Sequence, residues 1–286
     1  MAQPYCVAYF REINVAKYES FKGETAAAIK RFEKANVNYV ECTDAASKLP
    51  FIKMYIEIGD KKTAYELLVQ ELKKGYKLES LQYVGIFQNN LGNYYDSLLF
   101  QEDSLHQLFY ASLNQDMFLF VHSMFSMDQR IFYVSSIQDS LRSDIRHQIF
   151  RDNIAKLVAY VEENGIIGYK DLGHYQSWVT VILMHHRLDD SQDYENVEYL
   201  IEKYKIAIEK GYSQPEVVLN LYDNMAEIID GGKLQLSGKF YSPKSKKFLP
   251  FIDIEIVDSL RLSLGLNTLR EFSEMRGVSL PDGYKW

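Results

Sequence analysis

The chain is poor in several things, and each shortage removes a class of function. Its 286 residues hold two cysteines, Cys6 and Cys42, in no metal-binding or redox spacing. They imply no disulfide framework and leave a single bridge between them open. No metal site and no cofactor is expected. Apolar runs stay short of the ~18 residues a membrane span needs. The opening MAQPYCVAYFREI lacks the basic-then-apolar order of a secretory leader. As given, the chain reads as cytoplasmic; a mature form trimmed of a leader would be periplasmic or secreted. A basic face is also missing. The net charge is −7, and acids and bases are interleaved, which argues against a nucleic-acid surface. Neither G-x-S-x-G nor G-x-x-x-x-G-K occurs, so no nucleophile elbow or phosphate loop is visible.

What is present is apolar and aromatic: 47% hydrophobic residues, with 22 Tyr and 16 Phe against six Pro. Apolar residues recur every three or four positions, which predicts a mainly α protein. Three turn signals near the N-terminus, Lys22-Gly23-Glu24, Gly59-Asp60 and Gly92-Asn93, each separate two amphipathic runs. Their glycines lie about 34 residues apart, a period that means stacked helix pairs. Five residues after each comes a small residue, Ala28, Ala64 or Ser97. Four further on come Phe32 and Leu68, with Gln101 breaking the series. Twelve before each small residue sit Ala16, Ile52 and Gly85. Small residues there let the helices of a hairpin cross closely.

These positions resemble the tetratricopeptide repeat over roughly residues 9 to 110. The middle copy, with Tyr55, Gly59-Asp60, Ala64 and Leu68, is the best, and the third is degenerate. The resemblance implies a concave scaffold over residues 1–114 that binds a protein or peptide partner. It implies no catalysis.

Residues 115–286 read as a second, helical domain. Met117 to Phe125 is strongly apolar, and its aromatic set Phe118, Phe120, Phe125, Phe132 and Tyr133 is expected in the core. Helices are predicted over Asp144–Glu163, Tyr194–Lys210 and Pro215–Ile229. The most apolar run of this part, from Asp171 to Asp190, reads as a helix capped by Asp171 with Gly173 in its first turn. It would place Tyr175, Trp178, Ile182 and His185 on one face. His185 and His186 each have an aspartate four residues on, Asp189 and Asp190. After Asp230-Gly231-Gly232 the helical period fails. A short β-hairpin is predicted near residues 233–256, its tip carrying Lys233, Lys239, Lys244, Lys246 and Lys247. Helices ending at Leu264 and Arg276 close the chain.

The landmarks of this second part also resemble an uncharacterised bacterial family, a domain of unknown function. The chain offers Asp128-Gln129, Asp152-Asn153, Gly173 with His185 or His186, and Asp223-Asn224. Then come Gly232-Lys233-Leu234-Gln235-Leu236-Ser237-Gly238-Lys239-Phe240, Pro250 with Asp253, and Arg261 to Leu266. It departs from that pattern in having Asn224 for an Arg, and Ser237, Lys239 and Phe240 for Tyr, Thr and Gln. The resemblance brings no activity with it.

Asp128, Gln129, His185, His186, Asp223, Gln235 and Arg261 are the polar residues expected to converge, because buried polar groups must find partners. Asp128 or Asp223 facing Arg261 would make a structural ion pair. The same set as a pocket would supply His as base, Arg as anion clamp and Gln as orienting amide. Function therefore reads first as a non-catalytic helical-repeat binding or scaffolding protein. The alternative is a small hydrolase or ligand-binding domain built on that His/Asp/Arg cluster.

Overall fold

A computed structural model describes residues 5–45, 47–81, 83–133, 139–185, 191–230 and 234–285. His186, Asp189, Asp190, Gly231, Gly232 and Lys233 lie outside the described residues. The fold is mainly α with one short β-hairpin.

Three helix hairpins open the chain: α1 (Tyr5–Phe21) with α2 (Thr25–Asn38), α3 (Leu49–Glu57) with α4 (Lys61–Leu72), and α5 (Val84–Leu91) with α6 (Asn93–Ser112). Each turn carries its glycine, Gly23, Gly59 or Gly92, at positive φ. Asp60 caps α4, accepting from the Thr63 backbone N–H at 3.1 Å and the Thr63 hydroxyl at 2.7 Å. Ala16, Ala28 and Ala64 are fully buried, and so are Ile52 and Leu68. The alanines let α1 lie along α2 and α3 along α4. Phe32 of the first hairpin stacks on Phe51 of the second, centroids 3.9 Å apart. Cys6 and Cys42 form the bridge left open above, tying α1 to the 3-10 turn Val40–Ala45.

The chain continues through α7 (Gln115–Tyr133), α8 (Asp139–Asn164), α9 (Tyr169–Leu172), α10 (Gln176–His185), α11 (Ser191–Glu209) and α12 (Pro215–Asp230). Pro215 takes the first helical position, where its missing N–H costs nothing. Helices α7, α8 and α10 pack on one another, and α12 packs on α10 and α11. Helix α11 returns to α1. One buried apolar cluster runs from Ile13, Ile52 and Leu68 to Leu157, Leu183, Tyr204 and Leu221. The 114/115 division therefore falls in a connection between α6 and α7 that the core crosses without a gap.

The run from Asp171 is not one helix. Asp171 sits inside α9, where its carboxylate accepts from Gly168 N at 3.0 Å. Gly173 then breaks the helix at φ +53°, and a 3-10 turn leads into α10. A Cβ at Gly173 would strike the Lys74 carbonyl and the Phe109 ring. That close approach lets His174 N donate to Lys74 O at 3.0 Å, joining the two parts of the chain. Val179, Ile182 and Leu183 form the buried stripe of α10, while Tyr175, Trp178 and His185 lie at its edge. The aromatic set also departs from expectation. Phe118, Phe120 and Phe125 are half-buried, and Phe132 and Tyr133 are exposed. Phe118 and Phe125 pack on Trp178 of α10 and Phe120 stacks on Tyr160 of α8 at the edge of the core, while Val121, Met124 and Ile131 are among the buried residues of α7.

The hairpin after α12 is smaller than its alternation suggests. Strands β1 (Tyr241–Ser242) and β2 (Lys247–Phe248) pair Tyr241 with Phe248 and Ser242 with Lys247. Lys244, Lys246 and Lys247 stand exposed at or beside the tip, but Lys239 does not: it turns inward. Helices α13 (Val257–Ser263) and α14 (Leu269–Arg276) complete the fold. Thr268 caps α14 in a capping box with Glu271. Gly265, between them at φ +76°, lies so close to α1 that a Cβ would meet the Val7 carbonyl.

Candidate functional site

The seven residues expected to converge do not form one site. Those described fall into two groups in different parts of the fold.

Asp128 on α7 and His185 at the end of α10 form the first group. Asp128 is fully buried. Its Oδ2 lies 2.7 Å from His185 Nδ1 and accepts from Gln129 Nε2 at 2.7 Å. Its Oδ1 is buried and has no hydrogen-bond partner among the described residues. The His185 ring is wedged between Phe132 and Phe150, centroids 5.3 and 5.4 Å away. A carboxylate on Nδ1 assigns the neutral ring's proton to that nitrogen and leaves the lone pair on Nε2. The pair is thus an oriented base with part of its ring reaching solvent.

Asp223, Gln235 and Arg261 form the second group, and each is tied to backbone. Asp223 on α12 is buried; its Oδ1 accepts from Leu236 N at 2.9 Å and Ser237 N at 2.8 Å, and its Oδ2 accepts from the Ser237 hydroxyl. Burial pushes its pKa up, opposed by those Ser237 bonds. Gln235 is fully buried. It donates to Phe240 O at 2.9 Å and Leu249 O at 2.7 Å, and accepts from Phe240 N at 2.8 Å. Its amide therefore closes the loop that carries the hairpin and has no N–H donor left to orient a ligand. Arg261 on α13 donates through Nε to Asn267 O at 2.6 Å and through Nη1 to Ser237 O at 2.9 Å. Neither Asp128 nor Asp223 is its ion-pair partner within 4 Å. Ser237 stands between Asp223 and Arg261, bonding one through N–H and hydroxyl and the other through its carbonyl. Burial draws the Arg261 pKa down to about 10, with Asp258 the first of the acids opposing it.

Of the second group, Arg261 alone lines a cavity of about 370 Å³. Its walls come from α1, α12, the loop before β1, α13 and α14. They include Lys17, Lys239, Arg261 and Arg276 with one carboxylate, Glu216. Arg261 is 3% exposed, and Arg276 stands at the mouth. Lys17 is recessed yet keeps partial solvent contact. Burial lowers its pKa, Glu216 opposes that, and the Arg276 charge adds to the lowering. Burial lowers Lys239 as well, opposed by Glu216 and then Asp223. Asp128, Gln129 and His185 do not line this cavity.

Sequence reasoning named Arg261 here and missed Lys17, Arg276 and Glu216. Nothing in their local pattern separates them from ordinary solvated charges of amphipathic helices. Lys239 carries a signal, since it lies in a basic stretch, but that stretch reads as a solvated hairpin tip.

Comparison with known protein families, curated proteins and solved structures finds no match for this chain. Among the described residues no helix is long and apolar enough to cross a membrane, and no group of three or more His, Cys, Asp or Glu is placed to hold a metal ion.

Proposed function

We propose that the chain is a non-catalytic binding protein whose tetratricopeptide-like hairpins present an apolar surface to a protein or peptide partner. The supporting observation is the outward side of α6. Phe100 is 90% exposed there, with Leu99 at 51% and Leu108 at 63%. Leu119 and Met127 extend exposed apolar surface along α7. Single exposed leucines are ordinary. A phenylalanine set almost wholly in water beside further large apolar groups is the composition of an interface core, where aromatic anchors carry most of the binding free energy. The test is affinity capture with the wild-type chain and a Phe100→Ser, Leu108→Ser variant, quantified by mass spectrometry. The reading expects a partner enriched by the wild type to be lost from the variant at unchanged melting temperature. Identical captured sets would remove it.

A second reading keeps a hydrolase or ligand-binding role, resting on His185 held by buried Asp128. Arg261 takes no part in it, being anchored in the other group. Its test is His185→Gln against a panel of ester substrates, and equal turnover by both proteins would end it.

A further inference from the structure

The cavity between α1, α12, α13 and α14 is charged against the grain of the chain. The protein carries a net −7, and the cations on nearby surfaces are matched. Arg11 forks onto Glu271 at 3.0 and 3.2 Å, Arg31 binds Glu12 and Glu19, and Lys22 reaches Glu274. Within the cavity four cations face one carboxylate. Among the described residues Lys17, Arg261 and Arg276 have no carboxylate within 4 Å, and the Lys17 ammonium makes no hydrogen bond. Lys239 bonds only the neutral Asn220 amide. Arg261 and Arg276 share one aromatic ring, their guanidinium carbons 4.7 and 5.6 Å from the Phe272 centroid. Arg261 is 3% exposed, fixed through Nε and Nη1, and its Nη2 has no hydrogen bond among the described residues.

Like charges gathered in a recess oppose folding, and local rules of this kind are broken chiefly at functional sites. Fixed guanidinium donors match the planar or tetrahedral oxygens of carboxylate and phosphate. Phe272, Met275 and Leu266 supply an apolar wall, and the volume is that of a small-molecule site. We propose that this cavity binds a small organic dianion, a phosphate monoester or a dicarboxylate, with its charge on Lys17, Arg261 and Arg276 and its body against Phe272 and Met275. Arg261 is the pre-set anchor; Lys17 and Arg276 close on the anion from α1 and α14. The site is independent of the partner surface on α6.

The test is isothermal titration of the full chain at low ionic strength with phenyl phosphate, inorganic phosphate and succinate, and with phenol as the neutral control. Expected is saturable single-site binding of phenyl phosphate or succinate, tighter than that of inorganic phosphate, with none for phenol. Lys17→Met and Arg276→Gln should each weaken binding at least tenfold, while melting at the wild-type temperature or above, because the first removes a desolvated ammonium and the second a charge that repels it. Lys17→Arg should stay within a few-fold of wild type. Absence of saturable binding for all three anions would overturn the proposal. So would binding that Lys17→Met and Arg276→Gln leave within twofold, or a charge-preserving Lys17→Arg that loses as much as Lys17→Met.

Discussion

The first two hairpins and the segment from residue 234 to 285 are held together by opposite means. In α1–α4 the helices satisfy their own backbone, so the side chains between them are free to be apolar: Ile13, Ala16, Ala28, Ile52, Ala64 and Leu68. From Leu234 to Ile256 almost no regular structure is present. Its N–H and C=O groups must be met by something else, and buried side chains meet them. Asp223 takes the amides of residues 236 and 237, Gln235 spans Phe240 and Leu249, Arg261 takes the carbonyls of 237 and 267, and Asp258 takes Leu269 N at 2.5 Å. In this segment the buried polar residues therefore mark where the backbone is irregular. Their presence alone does not indicate chemistry.

The comparison can be broken at several points. Leu68→Ala removes a fully buried side chain between hairpins and should cost about 4 kcal/mol by chemical denaturation. Because the core is continuous, unfolding should stay a single transition. Replacing both Cys6 and Cys42 by serine frees a loop spanning 36 residues and should cost about 3 kcal/mol; a reduced wild-type sample should show a similar loss. Asp223→Ala strands two buried amides and should cost about 2–3 kcal/mol. A smaller effect sits where the 3-10 turn before α10 meets the end of α4. Burial pushes the His174 pKa down from 6.5 to about 4. The folded state therefore favours the neutral ring. The resulting stability is complete above pH 6.5 and is lost as pH falls towards 4. His174→Leu should flatten that part of the pH–stability curve by about 1 kcal/mol once solvent screening is allowed for. Least of all, Phe100→Ser should change stability by no more than about 0.5 kcal/mol, because its ring touches little.

The hairpin region was legible because its signals are periodic and local. Gly23, Gly59 and Gly92 mark turns, and Ala28 and Ala64 mark close crossings, wherever the rest of the chain goes. Pro215 marks a helix start for the same reason. Gly173 was misjudged because what it serves, contact with Lys74 and Phe109, lies about a hundred residues upstream. Arg261, Asp223 and Gln235 could be picked out as buried polar residues, yet a side chain's type does not say which backbone group it meets. Asp128 and Arg261 were therefore placed together when they belong to different helices and different tasks. Lys17 and Arg276 were invisible for a related reason: a lysine on a helix looks the same in sequence whether solvent or a cavity faces it.

The contrast between the regions is tested most directly by native-state hydrogen exchange on the wild type and on Asp223→Ala. The account predicts that amides from residues 236 to 252 lose protection by a large factor in the variant, while those of α1 to α4 keep theirs under native conditions. Equal loss of protection in both regions, or none at residues 236 and 237, would contradict it.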